Sequence, residues 1–248
     1  MSAQDSSSIS PIRIGTPAPN FTADTTFGEL NFHDYIDNSW CIFFSHPNDF
    51  TPVCTTELGA MAKLHPEFKR RGVKLLGLSC NSVDSHERWI ADIEEIICAR
   101  VEYPIVADNG KVAELYGMVD ANWAPANSTA NSDGSKDGDM EGRETIRSLF
   151  IIDNKKKVRL IMGYPASCGR NTAEVLRVLD GLMLSDRWNV SMPVNWVPGD
   201  DVIVGPSREG MRGVRIIKPY FRLCPVGALQ MHEIEQQQQQ QQQKDKEN

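Results

Sequence analysis

The chain has 248 residues, of which 40% are hydrophobic, 24% charged and 8% aromatic, and its formal net charge is −7. That length suits one large domain, or a domain with a small appendage, and it is enough to bury most of the surface that the unfolded chain exposes. The acidic balance argues against a nucleic-acid partner, which calls for a basic face, and no run approaches the roughly 20 apolar residues of a membrane span.

In chain order, Met1–Ser10 is Ser-rich, carries Asp5 and has no Lys or Arg. It lacks the basic and apolar regions of a secretory signal and the arginines of a mitochondrial transit peptide, so the expected location is cytoplasmic. Phe21–Tyr35, with Phe27-Gly28 at its centre, predicts a hairpin. Short apolar runs predict buried strands at Trp40–Ser45, Val73–Ser79, Tyr103–Ala107, Ile146–Ile152 and Val158–Tyr164. Helical patterns lie between them, at about 52–71, 84–98, 109–117 and 171–184, with Pro66 expected to kink or restart the first. Alternation of this kind predicts an α/β domain with a mainly parallel central sheet flanked by helices.

Asp153-Asn154-Lys155 reads as a turn between two strands. Ala124–Gly142, rich in Ala, Asn, Ser, Asp and Gly, reads as a long loop without regular structure. Five prolines between 186 and 232 mark a small, loop-rich C-terminal module. The glutamine tract Gln236–Gln243 and the charged residues after it predict a solvated, disordered tail. The expected organisation is a main domain at 9–185, the module at 186–232 and the tail at 233–248.

Chemistry concentrates in Ser45-His46-Pro47-Asn48-Asp49-Phe50-Thr51-Pro52-Val53-Cys54-Thr55-Thr56-Glu57-Leu58. A buried strand ends near Ser45, and Thr51-Pro52 is a good N-cap followed by a good first helical residue. Cys54 then occupies the third helical position. Only a thiolate is nucleophilic, and a free cysteine, with a pKa near ~8.5, is mostly protonated at neutral pH. The first helical turn offers unpaired N–H groups and the positive end of the macrodipole, and both favour the thiolate. The Thr51 hydroxyl, three residues earlier, can sit beside the sulfur. A lone cysteine is more often a small buried hydrophobe, but a strand-to-helix junction of an α/β sheet is where sites gather. Arg147 opens an otherwise apolar strand and needs a partner, which Glu57 or a thiolate can supply. Arg170 is a second cationic candidate at a helix start, read as having a secondary role, with surface solvation as the alternative.

The spacing Pro47-xxx-Thr51-xx-Cys54 resembles the active-site signature of the peroxiredoxins, and the longer string His46–Leu58 is similar to their one-cysteine, peroxiredoxin-6-type branch. The resemblance runs from Ile14-Gly15-x-Pro17-Ala18-Pro19-x-Phe21 to about Pro225. It takes in Asp84-Ser85-His86-x-x-Trp89, Tyr164-Pro165-x-x-x-Gly169-Arg170-Asn171 and Pro193-Val194-x-Trp196. It implies a thioredoxin-like fold with a central mixed sheet, a small C-terminal extension and a homodimer. The implied function is reduction of hydroperoxides through a sulfenic acid on Cys54. Thr51 and Arg147 would position the peroxide, Pro47 would shield the site, His46 would contact the sulfur and Glu57 would hold the arginine. No cofactor or metal is implied; an external thiol such as glutathione or a thioredoxin-like carrier would return Cys54 to the thiol. A redox sensor or chaperone-like protein using the same cysteine is the alternative.

Some one-cysteine relatives also hydrolyse phospholipids through a Gly-x-Ser-x-Gly turn. Here the matching stretch, Asp37-Asn38-Ser39-Trp40-Cys41, keeps the serine but neither glycine, so the sharp turn is not supported; His33 and Asp153 match the serine's partners. Membrane association finds no support in the sequence. Of the other cysteines, Cys41, Cys80 and Cys98 read as inert core residues, and Cys168 and Cys224 as candidate resolving thiols. None of the six forms a CxxC pair. His86 and Trp89 read as structural, and His33 and His65 as solvated.

Overall fold

The computed structural model describes residues 11–123 and 144–247, with side chains as far as 241. The stretch expected to be a loop at 124–142 lies outside the described residues. Contacts divide the chain into two compact units, Met1–Thr172 and Ala173–Asn248. This limit differs from the one placed after residue 185 by a single helix.

The first unit opens with the hairpin β1 (Thr22–Thr25) and β2 (Gly28–Asn31), paired antiparallel. Gly28 takes a φ of +91°, a left-handed turn conformation that suits glycine. A short helix α1 (Phe32–Ile36) leads to β3 (Trp40–Ser45), α2 (Pro52–Arg70), β4 (Val73–Ser79) and α3 (Val83–Ile97). Then come β5 (Ile105–Ala107), α4 (Lys111–Tyr116), β6 (Arg147–Ile152) and β7 (Val158–Tyr164). The seven strands lie in the order β2-β1-β5-β4-β3-β6-β7. Pairing is parallel across β3–β4–β5 and antiparallel elsewhere. The sheet is therefore mixed, as the family resemblance implies, and less parallel than periodicity alone suggests.

Strand alternation sorts the side chains by face. Cys41 and Phe43 of β3, Leu76 and Leu78 of β4, and Phe150 and Ile152 of β6 share one core with Phe32, Ile36 and Tyr116. The intervening residues face the other way. Phe44 is one of them: its ring lies 5.9 Å from that of Tyr103, whose hydroxyl donates to the Leu58 carbonyl of α2. Arg147 is two residues from Leu149 and so projects to the same side as Leu149 and Ile151. The register thus aims a strand-end arginine at the helix that carries Cys54.

Helix α2 runs unbroken through Pro66. An interior proline costs about 3 kcal/mol, and burial of Leu58, Met61, Ala62 and Phe68 along one stripe keeps the helix whole. Cys98 also departs from expectation. It is exposed, in a left-handed conformation just past α3, whereas Cys41 and Cys80 are buried.

The second unit holds α5 (Thr172–Trp188, its first residue shared with the unit before), β8 (Val202–Ile203), β9 (Arg215–Lys218), β10 (Phe221–Cys224) and α6 (Val226–Glu247). Its three strands form an antiparallel sheet in the order β8-β10-β9. A core of Trp188, Val190, Trp196, Val202, Val204, Cys224 and Leu229 sits beneath them. The glutamine tract is not the unstructured tail expected: α6 continues through it. Gln, Glu and Lys are good helix formers, and no Gly or Pro follows Gly227 to stop the helix.

Gly59 of α2 meets Ile97 at the end of α3; a Cβ there would lie 2.4 Å from Ile97 Cγ1. Overpacking costs about 1–3 kcal/mol, and the helix-propensity gain of alanine returns about 1. Gly59→Ala is therefore expected to lower stability in urea denaturation, and in an Ile97→Ala background the same change is expected to raise it. A destabilising effect of equal size in both backgrounds would show that the crowding is not the cause.

Candidate active site

β3 delivers the chain to a tight loop, Pro47–Thr51, and α2 starts from it. Pro47 is buried. Phe50 takes a left-handed φ of +53°, which turns the chain so that Thr51 becomes the helix N-cap. Thr51 is extended, as an N-cap should be, yet its side chain makes no capping bond. The hydroxyl instead donates to the Asn48 carbonyl at 2.9 Å. With its proton committed there, the Thr51 oxygen is left as an acceptor. Pro52 has no N–H, and the first helical bond is made by Thr55 N to Thr51 O at 2.9 Å. The N–H groups of Val53 and Cys54 are thus the free donors of the first turn.

Cys54 is fully buried. Arg147 Nη1 donates to its sulfur at 3.3 Å and to Glu57 Oε2 at 2.7 Å. The same guanidinium donates through Nε and Nη2 to the Ala166 carbonyl, at 3.0 and 2.6 Å. Burial works against the arginine's charge, but the bond and charge of Cys54, and then Glu57, raise its pKa above the ordinary value. A fixed cation therefore faces the sulfur.

Glu57 serves two arginines. Arg170 donates its backbone N–H to Oε1 at 2.7 Å, its Nε to Oε1 at 2.9 Å and its Nη2 to Oε2 at 2.8 Å. Burial pushes the Glu57 carboxyl up, but the charge and hydrogen bonds of Arg170, and then Arg147, hold it below its ordinary value. Arg170 is not solvated, the alternative that its place at a helix start left open. Its side chain is only 4% exposed, it also donates to the Ser148 carbonyl at 2.8 Å, and it lies over the Phe44 ring.

His46 pairs with a carboxylate and makes no hydrogen bond to the sulfur among the described residues. The ring is fully buried and its Nε2 faces Asp49 Oδ1 at 2.8 Å, while Nδ1 has no partner. Asp49 captures the ring because it also anchors α3, accepting from Ser85 Oγ and His86 Nδ1, each at 2.8 Å. Burial pushes Asp49 up, but the bonds from both histidines hold it well below the usual carboxylate range. Burial also lowers the pKa of His46, against the pull of Asp49. A neutral His46 donates from Nε2 and keeps a bare lone pair on Nδ1. The atoms of His46, Asp49 and His86 stand within 4.8 Å of one another, close enough for a metal ion, but hydrogen bonds among them and Ser85 already occupy them. Sequence reading missed Asp49 altogether, although His46-x-x-Asp49 is visible in the motif.

Ser39, His33 and Asp153 do not form a triad. His33 Nε2 bonds the Ala18 carbonyl at 2.8 Å, and Asp153 binds the backbone N–H groups of Lys155 and Lys157, each at 2.9 Å. Neither His33 nor His65 is solvated; both are half-buried.

The AhpC/TSA family model matches residues 14–161. Peroxiredoxin PRX1, mitochondrial, of Saccharomyces cerevisiae is 51% identical over 219 residues, covering 85% of this chain and 80% of that protein. Peroxiredoxin-6 of Mus musculus is 45% identical over 199 residues, covering 78% and 83%. A solved structure of the yeast mitochondrial 1-Cys peroxiredoxin, concerned with thiol resolution via glutathione/thioredoxin systems, superposes with a TM-score of 0.74 at 50% identity. It covers 87% of this chain and 100% of that one. The chain belongs to the AhpC/TSA family. Within that family it is a peroxiredoxin of the 1-Cys type, a thiol-dependent peroxidase. One expectation is corrected by these matches: a relative at 51% identity is mitochondrial, so an arginine-poor N-terminus does not assign this chain to the cytoplasm.

Three buried groups of the site, His46, Asp49 and Glu57, shape the response to acid. Each has a folded-state pKa below its unfolded one, so the unfolded chain binds more protons as pH falls and stability drops. His46 starts this loss below about pH 6.5, and Asp49 and Glu57 extend it below about pH 4.5. Thermal melts are expected to show Tm falling from about pH 6.5 downward, with a shallower slope between about pH 6.5 and 5 in His46→Asn. An unchanged slope in that variant would remove His46 from the account.

Proposed function

We propose that Cys54 is the peroxidatic cysteine of this peroxidase, with Thr51, Arg147, Pro47, His46 and Glu57 building its site. The observation that carries the reading is the guanidinium held 3.3 Å from a fully buried sulfur at the mouth of a helix. The thiolate attacks one oxygen of the hydroperoxide. The Thr51 oxygen accepts a hydrogen bond from the attacked O–H of the peroxide, whose proton is the one the departing oxygen takes up, and the N–H groups of Val53 and Cys54, with Arg147, meet the charge that grows on that departing oxygen. The O–O bond breaks, an S–O bond forms, and water or an alcohol leaves as that oxygen takes up a proton. Pro47 closes the site against water. Glu57 holds Arg147 in place, and Arg170 holds Glu57. His46 supports the loop through Asp49 and does not act on the sulfur.

An external thiol then reduces the sulfenic acid, and excess peroxide carries it to sulfinic or sulfonic acid. Glutathione or a thioredoxin-like carrier is the reductant proposed, because the similar yeast structure concerns those two systems. A homodimer, with the catalytic domain at 9–185 and the module at 186–232, completes the reading on the strength of the family resemblance.

Cys54→Ser is expected to abolish peroxide consumption in a stopped-flow assay. Arg147→Leu is expected to lower kcat/KM by roughly 10²–10³, and Glu57→Gln by a smaller factor, since it weakens the support without removing the donor. Undiminished turnover in Cys54→Ser would refute the assignment, and an unaltered rate in Arg147→Leu would remove the arginine from the mechanism.

A further inference from the structure

The Thr51 hydroxyl is aimed from outside its own helix. Its proton goes to the Asn48 carbonyl at 2.9 Å, and the capping bond that would otherwise occupy its oxygen is absent. The direction of one carbonyl therefore decides where the Thr51 lone pairs point. That carbonyl belongs to the peptide unit between Asn48 and Asp49. A trans peptide is planar, so its N–H points opposite to its C=O. A partner that fixes the Asp49 N–H thus also aims the Asn48 oxygen.

Asn81 is that partner. It lies in the connection between β4 and α3, and its Oδ1 accepts the Asp49 N–H at 3.1 Å. The same oxygen accepts the Ser79 hydroxyl at 2.8 Å, and Ser79 is fully buried at the end of β4. Asn81 Nδ2 donates to Asn48 Oδ1 at 2.8 Å, and Asn48 Nδ2 donates to Glu144 Oε1 at 3.0 Å. A backbone N–H only donates and an ionised carboxylate only accepts, so both amides between them have a single consistent orientation. One side chain grips the Asn48–Asp49 peptide at two points.

The loop depends on support of this kind. Phe50 has a φ of +53°, a conformation that a residue other than glycine keeps only where its surroundings impose it. The Asp49 carboxylate ties the loop to Ser85 and His86 of α3. Asn81 ties the backbone of the same residue to the end of β4. Without that second tie the peptide can rotate, and the Thr51 hydroxyl can turn back to cap α2. An N-cap oxygen accepts from the second or third helical N–H, which here are those of Val53 and Cys54. The turn would then occupy both the acceptor and one of the donors that the peroxide uses.

Resting on the peroxidase reading, in which Thr51 receives the peroxide O–H, we propose that Asn81 is a positioning residue of the reaction. Asn81 orients the Asn48–Asp49 peptide, the Asn48 carbonyl takes the Thr51 proton, and the Thr51 oxygen is presented as an acceptor beside the sulfur.

The test compares two reactions of the reduced protein, both followed by rapid quench and mass measurement at Cys54: oxidation by hydrogen peroxide and alkylation by iodoacetamide. Alkylation needs the thiolate but no acceptor for a peroxide O–H. Asn81→Ala is expected to slow oxidation roughly tenfold and to leave alkylation as it is in wild type. Asn81→Ser, whose shorter side chain withdraws the acceptor, is expected to match it and carries the test if the alanine variant does not fold. Asn81→Asp keeps an oxygen for the Asp49 N–H and is expected to recover most of the rate. In a Thr51→Val background, Asn81→Ala is expected to add nothing. Wild-type oxidation in the alanine and serine variants overturns the inference. So does equal slowing of both reactions, an undiminished effect without the Thr51 hydroxyl, or no recovery with aspartate. Each of those outcomes leaves the peroxidase reading intact. Failure of Cys54 to oxidise in wild type overturns that reading itself.

Discussion

A guanidinium taken out of water needs an acceptor for each of its donors, and the site is organised around meeting that need for Arg147. Its acceptors come from two separate segments, the sulfur and Glu57 on α2 and the Ala166 carbonyl on the loop after β7, while Arg147 itself opens β6. Burying one cation therefore fixes the distance between a helix, a strand end and a loop. A buried ion pair gives little net stability, and breaking one by removing a partner costs about 3–5 kcal/mol. What the arrangement secures is position. Cys54 is left next to a donor that cannot turn away to solvent.

Glu57 makes this possible by sharing its charge between two arginines. With Arg147 alone, the pair would be neutral and the sulfur would face a cation already compensated. Arg170 restores a net positive charge around Glu57, so that the charge of Arg147 is not fully compensated where it faces the sulfur. The two arginines thus act together although only one touches sulfur. This is also why Arg170 is buried, where its sequence context alone suggests a solvated helix start.

The sequence disclosed those parts of the fold that depend on local pattern. β3, β4 and β7 follow their apolar runs residue for residue, and Thr51-Pro52 starts α2 where capping chemistry places it. The meeting of Cys54, Arg147 and Glu57 is foreshadowed by the family motif and by a charge at the start of an apolar strand. Features that depend on distant partners were not legible. Asp49 belongs to the site only because α3 brings Ser85 and His86 to the same carboxylate, and nothing near Asp49 in the chain announces that meeting. The family resemblance implies that His46 contacts the sulfur; in the structure its ring nitrogen pairs with the buried Asp49 carboxylate. The glutamine helix shows the opposite failure. Low complexity suggests disorder, but the residues concerned have good helix propensity and inherit a nucleated turn from α6.

Burial and reactivity make opposing demands on one sulfur. A small hydroperoxide can be met by a closed site, and exclusion of water strengthens the donors that stabilise the departing oxygen. A thiol reductant is bulkier and must approach the oxidised sulfur along the S–O axis, which a fully buried residue does not permit. Attack by peroxide and removal of its product therefore ask different things of the same turn: the first is served by the enclosure that Arg147 and the buried start of α2 provide, and the second calls for access that this enclosure denies.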